Sequence, residues 1–390
     1  MLLPPDELSL RISRLQSLMA DKSLQAILVN DLTNLYYLTG RVYLGYAYIP
    51  AEGSPIFFVK RPVELDGELV AYIRKPEEIP SALEKLGIKT PAHIGLEMGT
   101  TAYDTIIRLQ KLFPNAVTAD ASPLLRQCRS VKTPYEIKML EISGKHHTMV
   151  YRRIPSLFVP GMSDIELQIE IERLSRREGC LGQFRISGDT MELFMGNVIA
   201  GDNADAPSPY DFAMGGAGVD PSLPVGANGT LLRQGMTVMV DVNGNYTGYM
   251  TDMTRTFTVG HIPEIAVKAH ETSIRIHREL CKLGRPGTEA KALYQHAMAI
   301  VEEAGLAQYY MGHRQHAGFI GHGIGIEVNE LPVIAPRSRD IIAENNVIAL
   351  EPKFVIPQVG AVGIENTYVV TAESWRCITN APEELIDLEG

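Results

Sequence analysis

The sequence has 390 residues, and 36 basic against 46 acidic side chains give it a formal net charge of −10. This length favours two domains over one. Its 45% hydrophobic and 21% charged residues exclude a mainly disordered or fibrous protein. The acidic balance offers no general electrostatic reason to bind nucleic acid or an anionic membrane.

The distribution of apolar residues and cysteines narrows the class further. No run approaches the roughly 18 apolar residues of a membrane-spanning helix. The start, MLLPPDELSLRISRL, lacks a basic region followed by an apolar run, so we expect no secretory signal. The four cysteines, at 128, 180, 281 and 377, form no CxxC pair. This excludes a disulfide framework or a thiolate zinc site and predicts a reduced, cytoplasmic location.

In the first third of the chain, helical and strand-like patterns alternate. Apolar spacing and short apolar runs predict a helix over 8–22, strands over 26–29 and 53–60, a helix over 80–86, a strand over 93–96 and a helix over 103–113. Such alternation is typical of an α/β layer domain.

A seam at RSVKTP (129–134) separates this part from a second one rich in both helices and hairpin-type strands. We expect helices over 136–154, 163–179, 264–283 and 288–303, the second opened by a Ser163–Glu166 capping box. Strand-like runs follow at 236–243, 251–260, 346–357 and 361–370. The Gly- and Pro-rich stretch 201–229 is expected to be a long functional loop. The fold class is therefore α+β, with a domain over 1–130 and another over 131–390.

Each of the four strand-like runs of the second part places a carboxylate among apolar or small neighbours, and the glycine-dense run GHGIG adds an imidazole. These residues are Asp241, Asp252, His322, Glu351 and Glu365. An ionised group in an apolar strand needs a charge partner or a metal, since burying it alone costs several kcal/mol. Any one of them alone has an ordinary structural explanation as a turn, edge or core residue. The recurrence within one domain favours a site holding two divalent cations, which would cancel the repulsion among four carboxylates.

The order of these residues resembles the pita-bread metallohydrolases, the family of aminopeptidase P, prolidase, methionine aminopeptidase and the metal-free creatinase. The resemblance rests on DVNGNYTGYMTDMTRTF, GHGIGIEVNE, LEPKFVIP and VGIENTYVVT. The stretch DLTNLYYLTG and the seam at VKTPYEI are similar to the creatinase/prolidase N-terminal domain. The resemblance implies an N-terminal α/β creatinase-like domain and a C-terminal pita-bread domain with a curved antiparallel sheet.

The resemblance also implies roles for single residues. Asp241 would chelate one ion, Asp252 and Glu365 would bridge two, and His322 and Glu351 would complete the second ion. Glu351 would accept the proton of the attacking water. Oxygen and imidazole ligands make Mn²⁺ or Co²⁺ the expected ions, with Zn²⁺ or Fe²⁺ compatible.

Three positions depart from the pattern of prolidase-like members. Asn329 and Ser208 stand where that pattern has histidines, and Gly363 stands where it has an arginine. Asparagine and serine can form hydrogen bonds but cannot shuttle a proton near neutral pH. Asn329 is therefore a candidate catalytic residue that hydrogen-bonds the substrate. Ser208 and His316 are candidate substrate-binding residues, and His313 or His316 could supply a replacement imidazole.

Three hypotheses follow. The first is a metal-dependent Xaa-Pro dipeptidase or aminopeptidase P-like enzyme acting on short peptides. The second is a creatinase-like amidohydrolase acting on a small non-peptide C–N bond. The third is a non-catalytic binding protein on the same fold. The expected partners are a small peptide or amide and a second copy of the chain, with no nucleic acid and no membrane.

Overall fold

The computed structural model describes residues 3–63, 69–188, 195–210, 212 and 214–390. The chain divides into two compact units, Met1–Arg129 and Ser130–Gly390. No helix in the described part of the chain is both long and apolar enough to cross a bilayer. All four cysteines are free thiols.

The first unit is a mixed six-stranded sheet with helices between its strands. Its elements are α1 (Pro5–Ala20), β1 (Ala26–Val29), α2 (Leu32–Thr39), β2 (Leu44–Pro50), β3 (Ile56–Arg61), β4 (Val70–Tyr72), α3 (Ile79–Lys85), β5 (His93–Leu96), α4 (Tyr103–Gln110), β6 (Val117–Asp120) and α5 (Ser122–Ser130). The strand order is β4-β3-β2-β1-β5-β6, with β1 antiparallel to β2 and parallel to β5. Every residue of β1 is buried, as its continuous apolar run AILV predicts.

Local capping explains why α2 forms in this unit. Asp31 precedes the helix in an extended conformation, and its carboxylate accepts hydrogen bonds from the backbone N–H groups of Thr33 and Asn34. Gly40, with φ of 70°, ends the helix in the left-handed region that glycine adopts without strain. The stretch DLTNLYYLTG is thus a capped helix.

The described residues of the second unit form antiparallel strand pairs and four α-helices. Its elements are α6 (Pro134–Tyr151), α7 (Asp164–Arg177), β7 (Gly196–Ala200), β8 (Met236–Val242), β9 (Gly244–Asn245), β10 (Met250–Thr251), β11 (Thr254–Val259), α8 (Glu264–Leu283), α9 (Ala290–Glu303), β12 (Gly321–Gly323), β13 (Glu330–Ile334), β14 (Val347–Leu350), β15 (Lys353–Ile356), β16 (Gly360–Gly363), β17 (Asn366–Val370), β18 (Trp375–Cys377) and β19 (Ile386–Asp387). The predicted capping box is present: Ser163 Oγ accepts from the Glu166 N–H, and the Glu166 carboxylate accepts from the Ser163 N–H.

Two sheets carry most strands of this unit, in the orders β19-β11-β8-β7 and β13-β12-β14-β17-β18. The pairs β9–β10 and β15–β16 stand apart as two-stranded ladders. One apolar cluster joins α8 and α9 to the strands, through residues such as Leu280, Ile300, Leu350 and Phe354. A second cluster joins α6 and α7 to β7, β8 and β11.

The predicted loop at 201–229 holds one turn of 3-10 helix, Gly201–Asp205, and otherwise no helix or strand among its described residues. Asp211 and Ala213 of this stretch lie outside the described residues. Further 3-10 turns occur at Pro76–Glu78, Ile154–Leu157 and Ala307–Tyr309.

Candidate metal centre

Five positions in or next to strands of the second unit bring four carboxylates and one imidazole together. Asp241 lies near the end of β8, Asp252 between β10 and β11, His322 within β12, Glu351 directly after β14, and Glu365 between β16 and β17. Thr254 connects the strands that carry them, since it pairs with Asp241 across β8–β11 and forms a bridge with Glu365.

The five side chains form two groups of potential metal ligands that share one member. Asp252, His322 and Glu365 form the first group, and Asp241, Glu351 and Glu365 form the second. Within each group, one ligand atom per residue lies within 4.8 Å of the others. Asp241 is half-buried, and the other four residues are buried. Because Glu365 belongs to both groups, it can contact a cation in either one.

Backbone and hydroxyl groups hold the first group in place. The His322 Nδ1 lies 3.1 Å from the carbonyl oxygen of Gly323, to which it donates. This leaves the Nε2 atom facing the cluster, 3.3 Å from Glu351 Oε1. Thr254 Oγ1 donates to Glu365 Oε2 at 2.8 Å. Fixing one ring nitrogen on a carbonyl is the usual way in which a protein presents the other nitrogen to a metal.

The structure adds a cation that the motif analysis missed. Lys353, the first residue of β15, is fully buried. Its Nζ lies 2.8 Å from Asp241 Oδ2, 2.8 Å from Glu351 Oε2 and 3.1 Å from Glu365 Oε2. The ammonium group therefore lies among the carboxylates of the second group. A lysine within the apolar run VIALEPKFVI was a detectable signal, by the argument that singled out Glu351 in the same run.

Burial and mutual repulsion change the protonation of the first group. Burial raises the pKa of Asp252 to about 7, and the charge of Asp241 adds to the effect. Burial also raises the pKa of Glu365 well above its usual range, reinforced by the charges of Asp252 and Glu351. Burial acts to lower the pKa of His322, but the hydrogen bond and charge of Glu351 outweigh it, so that pKa is raised. These carboxylates would be stabilised as anions by a further cation.

Lys353 lowers the pKa of one carboxylate of the second group, Glu351. Although burial acts to raise the pKa of Glu351, the Lys353 charge and the His322 hydrogen bond lower it to about 2. Burial opposes the charged form of Lys353 too, yet the charges of Asp241, Glu351 and Glu365 raise its pKa well above the usual range. Glu351 is therefore a carboxylate and Lys353 an ammonium at neutral pH.

The two groups differ in their fit to a metal ion. The Oε1 atom of Glu365 is buried and has no hydrogen-bond partner among the described residues, which is costly unless a ligand satisfies it. With Asp252 and His322 it completes a set of oxygen and nitrogen donors that fits one divalent ion. In the second group the Lys353 ammonium already contacts all three carboxylates, so the side chains as arranged do not fit a second ion.

The side-chain amide of Asn329 is hydrogen-bonded to the backbone of Ser187. Its Nδ2 donates to the carbonyl oxygen of Ser187 at 2.5 Å, and its Oδ1 accepts from the Ser187 N–H at 2.7 Å. The amide therefore bonds both backbone groups of one residue. A histidine has a different shape and could not reproduce this pair of bonds with the same atoms.

The candidate substrate-binding residues Ser208 and His316 line one polar cavity together with Asp205, Tyr210 and Gln315. Ser208 Oγ donates to the carbonyl oxygen of Pro224 at 2.9 Å. His316 Nδ1 donates to the carbonyl oxygen of Tyr310 at 2.8 Å. The structure thus brings these two residues together.

The other candidate imidazole has an acidic partner at the same cavity. His313 Nδ1 lies 3.0 Å from Asp205 Oδ2, and Asp205 lines the cavity. The Asp205 carboxylate also accepts the Arg314 N–H at 2.9 Å. Asp205 thus holds His313 next to the cavity that His316 lines.

Comparison with known proteins gives two family matches. The model of metallopeptidase family M24 matches residues 138–372, and the model of the creatinase/prolidase N-terminal domain matches residues 11–131. The first match contains all five residues of the two ligand groups and Lys353.

Relatives match nearly the whole chain. An Xaa-Pro dipeptidase of Pyrococcus horikoshii is 26% identical, over 98% of this chain and 100% of its own length. The crystal structure of a dipeptidase from Pyrococcus horikoshii superposes with a TM-score of 0.78 at 27% identity, covering 96% of this chain and 99% of that one. An Xaa-Pro dipeptidase from Bacillus anthracis shares the fold, with a TM-score of 0.79 at 23% identity over 97% of this chain and 99% of that one.

Proposed function

Because the chain belongs to metallopeptidase family M24, we propose that it is a metal-dependent hydrolase that cleaves short peptides at Xaa-Pro bonds. That activity is the one stated in the name of its relative from Pyrococcus horikoshii. The observation that carries the proposal is the convergence of Asp252, His322 and Glu365 on one point, where Glu365 Oε1 lacks a partner among the described side chains. We assign these three residues to a divalent ion.

The ligand set and Glu351 supply the chemistry that amide hydrolysis needs. A divalent ion lowers the pKa of water and polarises a carbonyl group. Two carboxylates and an imidazole, with no thiolate, suit Mn²⁺ or Co²⁺, and Zn²⁺ or Fe²⁺ are compatible. Glu351 is a carboxylate at neutral pH, since the charge of Lys353 overcomes burial in setting its pKa. We assign Glu351 the role of proton acceptor. The catalytic domain that contains it is proposed to span 131–390.

Substrate recognition is assigned to the cavity that Ser208 and His316 line. The polar groups that line it can form hydrogen bonds with the backbone of a peptide. Asn329 stays a candidate for hydrogen bonding to the substrate, although its amide already bonds Ser187. The homodimer and the cytoplasmic location expected from the sequence stay predictions.

A substrate panel tests the proposal. The purified protein would be stripped of metal and reloaded separately with Mn²⁺, Co²⁺ and Zn²⁺. It would then be assayed on Xaa-Pro dipeptides, Xaa-Pro-Yaa tripeptides and matched peptides in which alanine replaces proline. We expect metal-dependent cleavage that requires proline. Equal rates on the alanine peptides would refute the proline specificity, and turnover that survives chelation would refute the metal requirement.

A matched pair of histidine variants separates the site from general damage. His322→Ala removes one proposed ligand, whereas His261→Ala changes an exposed histidine outside both ligand groups. We expect the first to lower metal affinity and reduce turnover by roughly 10²-fold or more, in line with the loss of catalytic groups in other enzymes. The second should behave like the unmodified protein in both assays.

A second candidate function is the hydrolysis of a small non-peptide C–N bond. The Lys353 ammonium among Asp241, Glu351 and Glu365 favours it, because a site with a fixed organic cation differs from one that two metal ions fill. The same panel, extended to small amides and ureido compounds, decides between them. Turnover of these compounds without peptide cleavage would support the second candidate, and metal binding without any turnover would leave a binding protein.

A further inference from the structure

We propose that the Lys353 ammonium replaces one of two metal ions, so that this centre binds a single divalent ion. The inference concerns the metal site of the proposed function and rests on that part of it alone. It does not depend on which bond the protein cleaves.

The contacts of Lys353 match the capacity of an ammonium group. A lysine Nζ has three N–H donors and no acceptor. Here it has three carboxylate partners, at 2.8, 2.8 and 3.1 Å, contributed by Asp241, Glu351 and Glu365. All the donors are therefore used, and each of the three carboxylates of the second group is engaged. This is the pattern of a cation-binding site whose cation is part of the chain.

The backbone fixes the position from which the lysine reaches the cluster. Lys353 pairs with Gly363 across β15–β16, and its carbonyl oxygen accepts the Met311 N–H at 2.8 Å. The side chain is 0% exposed. A long side chain that is enclosed along its length and bonded at its tip has few alternative rotamers, so it cannot readily swing out to admit a metal ion.

The Lys353 ammonium and the divalent ion would use different oxygen atoms of Glu365. Lys353 uses the Oε2 atom of Glu365, which also accepts from Thr254. The Oε1 atom of the same carboxylate is the buried atom that has no partner among the described residues. Glu365 can thus bind the ammonium through one oxygen and a metal ion through the other. Glu365 therefore lies between two cations, of which one is the Lys353 ammonium and the other the divalent ion.

Competition and repulsion also disfavour a second ion. With all four carboxylates ionised and His322 neutral, the ammonium and one divalent ion leave the centre at −1, and a second ion would bring it to +1. A second divalent ion would have to compete for the oxygen atoms that Lys353 already contacts, and it would be repelled by the ammonium at close range. Removal of the lysine charge should therefore open the second position.

Metal stoichiometry tests the inference on the full-length chain. After dialysis against excess Mn²⁺ and then metal-free buffer, elemental analysis should find one ion per chain in the unmodified protein. Lys353→Met removes the charge and keeps an unbranched side chain, and Lys353→Gly also removes the bulk. Both should bind two ions. Lys353→Arg keeps a cation and should bind one.

Lys132→Met is the matched control, because Lys132 is another buried lysine of the same unit, paired with Glu330 at 2.7 Å. Its loss should leave the stoichiometry at one. Zero or two ions in the unmodified protein would overturn the inference, as would a folded Lys353→Met variant that binds only one.

Electron paramagnetic resonance of the Mn²⁺-loaded, unmodified protein gives a second measurement that needs no variant. An isolated ion gives a six-line signal, whereas two adjacent ions couple and broaden it. An isolated-ion spectrum supports the inference and a coupled spectrum overturns it. The peptide assay is separate: one bound ion without Xaa-Pro cleavage would refute the proposed specificity alone, and two ions with cleavage would refute this inference alone.

Discussion

Lys353 and Gly363 lie directly opposite each other in the β15–β16 ladder. Gly363 has φ of 135°, and a Cβ atom at this position would lie 2.7 Å from the Pro352 carbonyl oxygen and 3.0 Å from the Lys353 Cα. A side chain at position 363 would therefore collide with the backbone that carries the lysine. An arginine, which prolidase-like sequences commonly have at this position, would not fit here without a shift of the backbone that carries Lys353.

The first prediction is that Gly363→Ala destabilises the second unit. The substitution combines an unfavourable φ with contacts closer than real Cβ atoms show, so we expect a loss of about 2–4 kcal/mol in the free energy of unfolding. Trp375, the one tryptophan of the sequence, lies in β18 of the same unit. Its fluorescence during urea unfolding measures the change.

Gly235→Ala is the control for backbone conformation alone. Gly235 has φ of 86°, and its Cβ would meet no atom within 4 Å. We expect it to cost about 1 kcal/mol. Equal losses in the two variants would show that the close approach to Lys353 and Pro352 contributes nothing.

The second prediction concerns the buried ion pair of Lys132 and Glu330. Their side chains are 1% and 2% exposed and lie 2.7 Å apart. Lys132→Met leaves the Glu330 charge without this partner and should cost about 3–5 kcal/mol. The double variant Lys132→Met/Glu330→Gln removes both charges. Its glutamine oxygen can still accept the hydrogen bonds that the Ile326 and Glu327 N–H groups donate to Glu330 Oε1 in the unmodified protein.

The double variant should therefore be more stable than the single one in the same urea experiment. Should it be no more stable, the loss of the ion pair with Glu330 is not the source of the destabilisation. Lys132→Met alone would then act through packing of its aliphatic chain.

Periodicity and caps predicted the elements that depend on local sequence. The strand over 26–29, the helix over 264–283 and the capping box at Ser163 and Glu166 all appear in the structure. The helix expected over 103–113 ends earlier, at Gln110. Helix α2 was not predicted, because its apolar residues form a short run in which helix and strand cannot be told apart by spacing.

Contacts between distant residues lay beyond local patterns. Asn329 bonds Ser187, far away in the sequence, and nothing near Asn329 in the chain indicates this partner. Likewise, the apolar run around Lys353 indicates that it needs a charge partner, but nothing near it in the chain indicates that Asp241 and Glu365 lie beside it. Sequence order predicted which residues carry the chemistry, but charge balance in the cluster depends on the three-dimensional arrangement.

The third prediction is a pH dependence in the first unit. Glu97 is fully buried, and burial raises its pKa to about 7 although the backbone N–H groups of Asn30 and Asp31 donate to it. In the unfolded chain the ordinary value is 4.5. Between these values the folded state holds more protons, so stability is highest below about pH 4.5 and falls as the pH rises toward 7. The full change is on the order of 3 kcal/mol.

Protection factors from hydrogen exchange of β1 and β5, measured from pH 5 to pH 8, should therefore fall for the unmodified protein. Glu97→Gln cannot ionise and should remove this slope, whatever its effect on absolute stability. An unchanged slope in Glu97→Gln would assign the pH dependence to another group.

The last prediction concerns the pair of bonds between Asn329 and Ser187. Each hydrogen bond contributes about 0.5–1.5 kcal/mol. Asn329→Ala should therefore lower the free energy of local opening of the segment 181–188 by about 1–3 kcal/mol. Hydrogen exchange of that segment should accelerate accordingly. Asn329→Asp keeps the acceptor for the Ser187 N–H, at 2.7 Å in the unmodified protein, but sets a carboxylate oxygen against the Ser187 carbonyl. It should therefore weaken the segment at least as much as alanine does. Ser208→Ala is the control, because Ser208 Oγ bonds Pro224 and not this segment.

If Asn329→Ala leaves exchange unchanged while Xaa-Pro turnover falls, Asn329 acts on the substrate. If exchange accelerates and turnover falls by the same fraction at every substrate concentration, it acts by holding the segment.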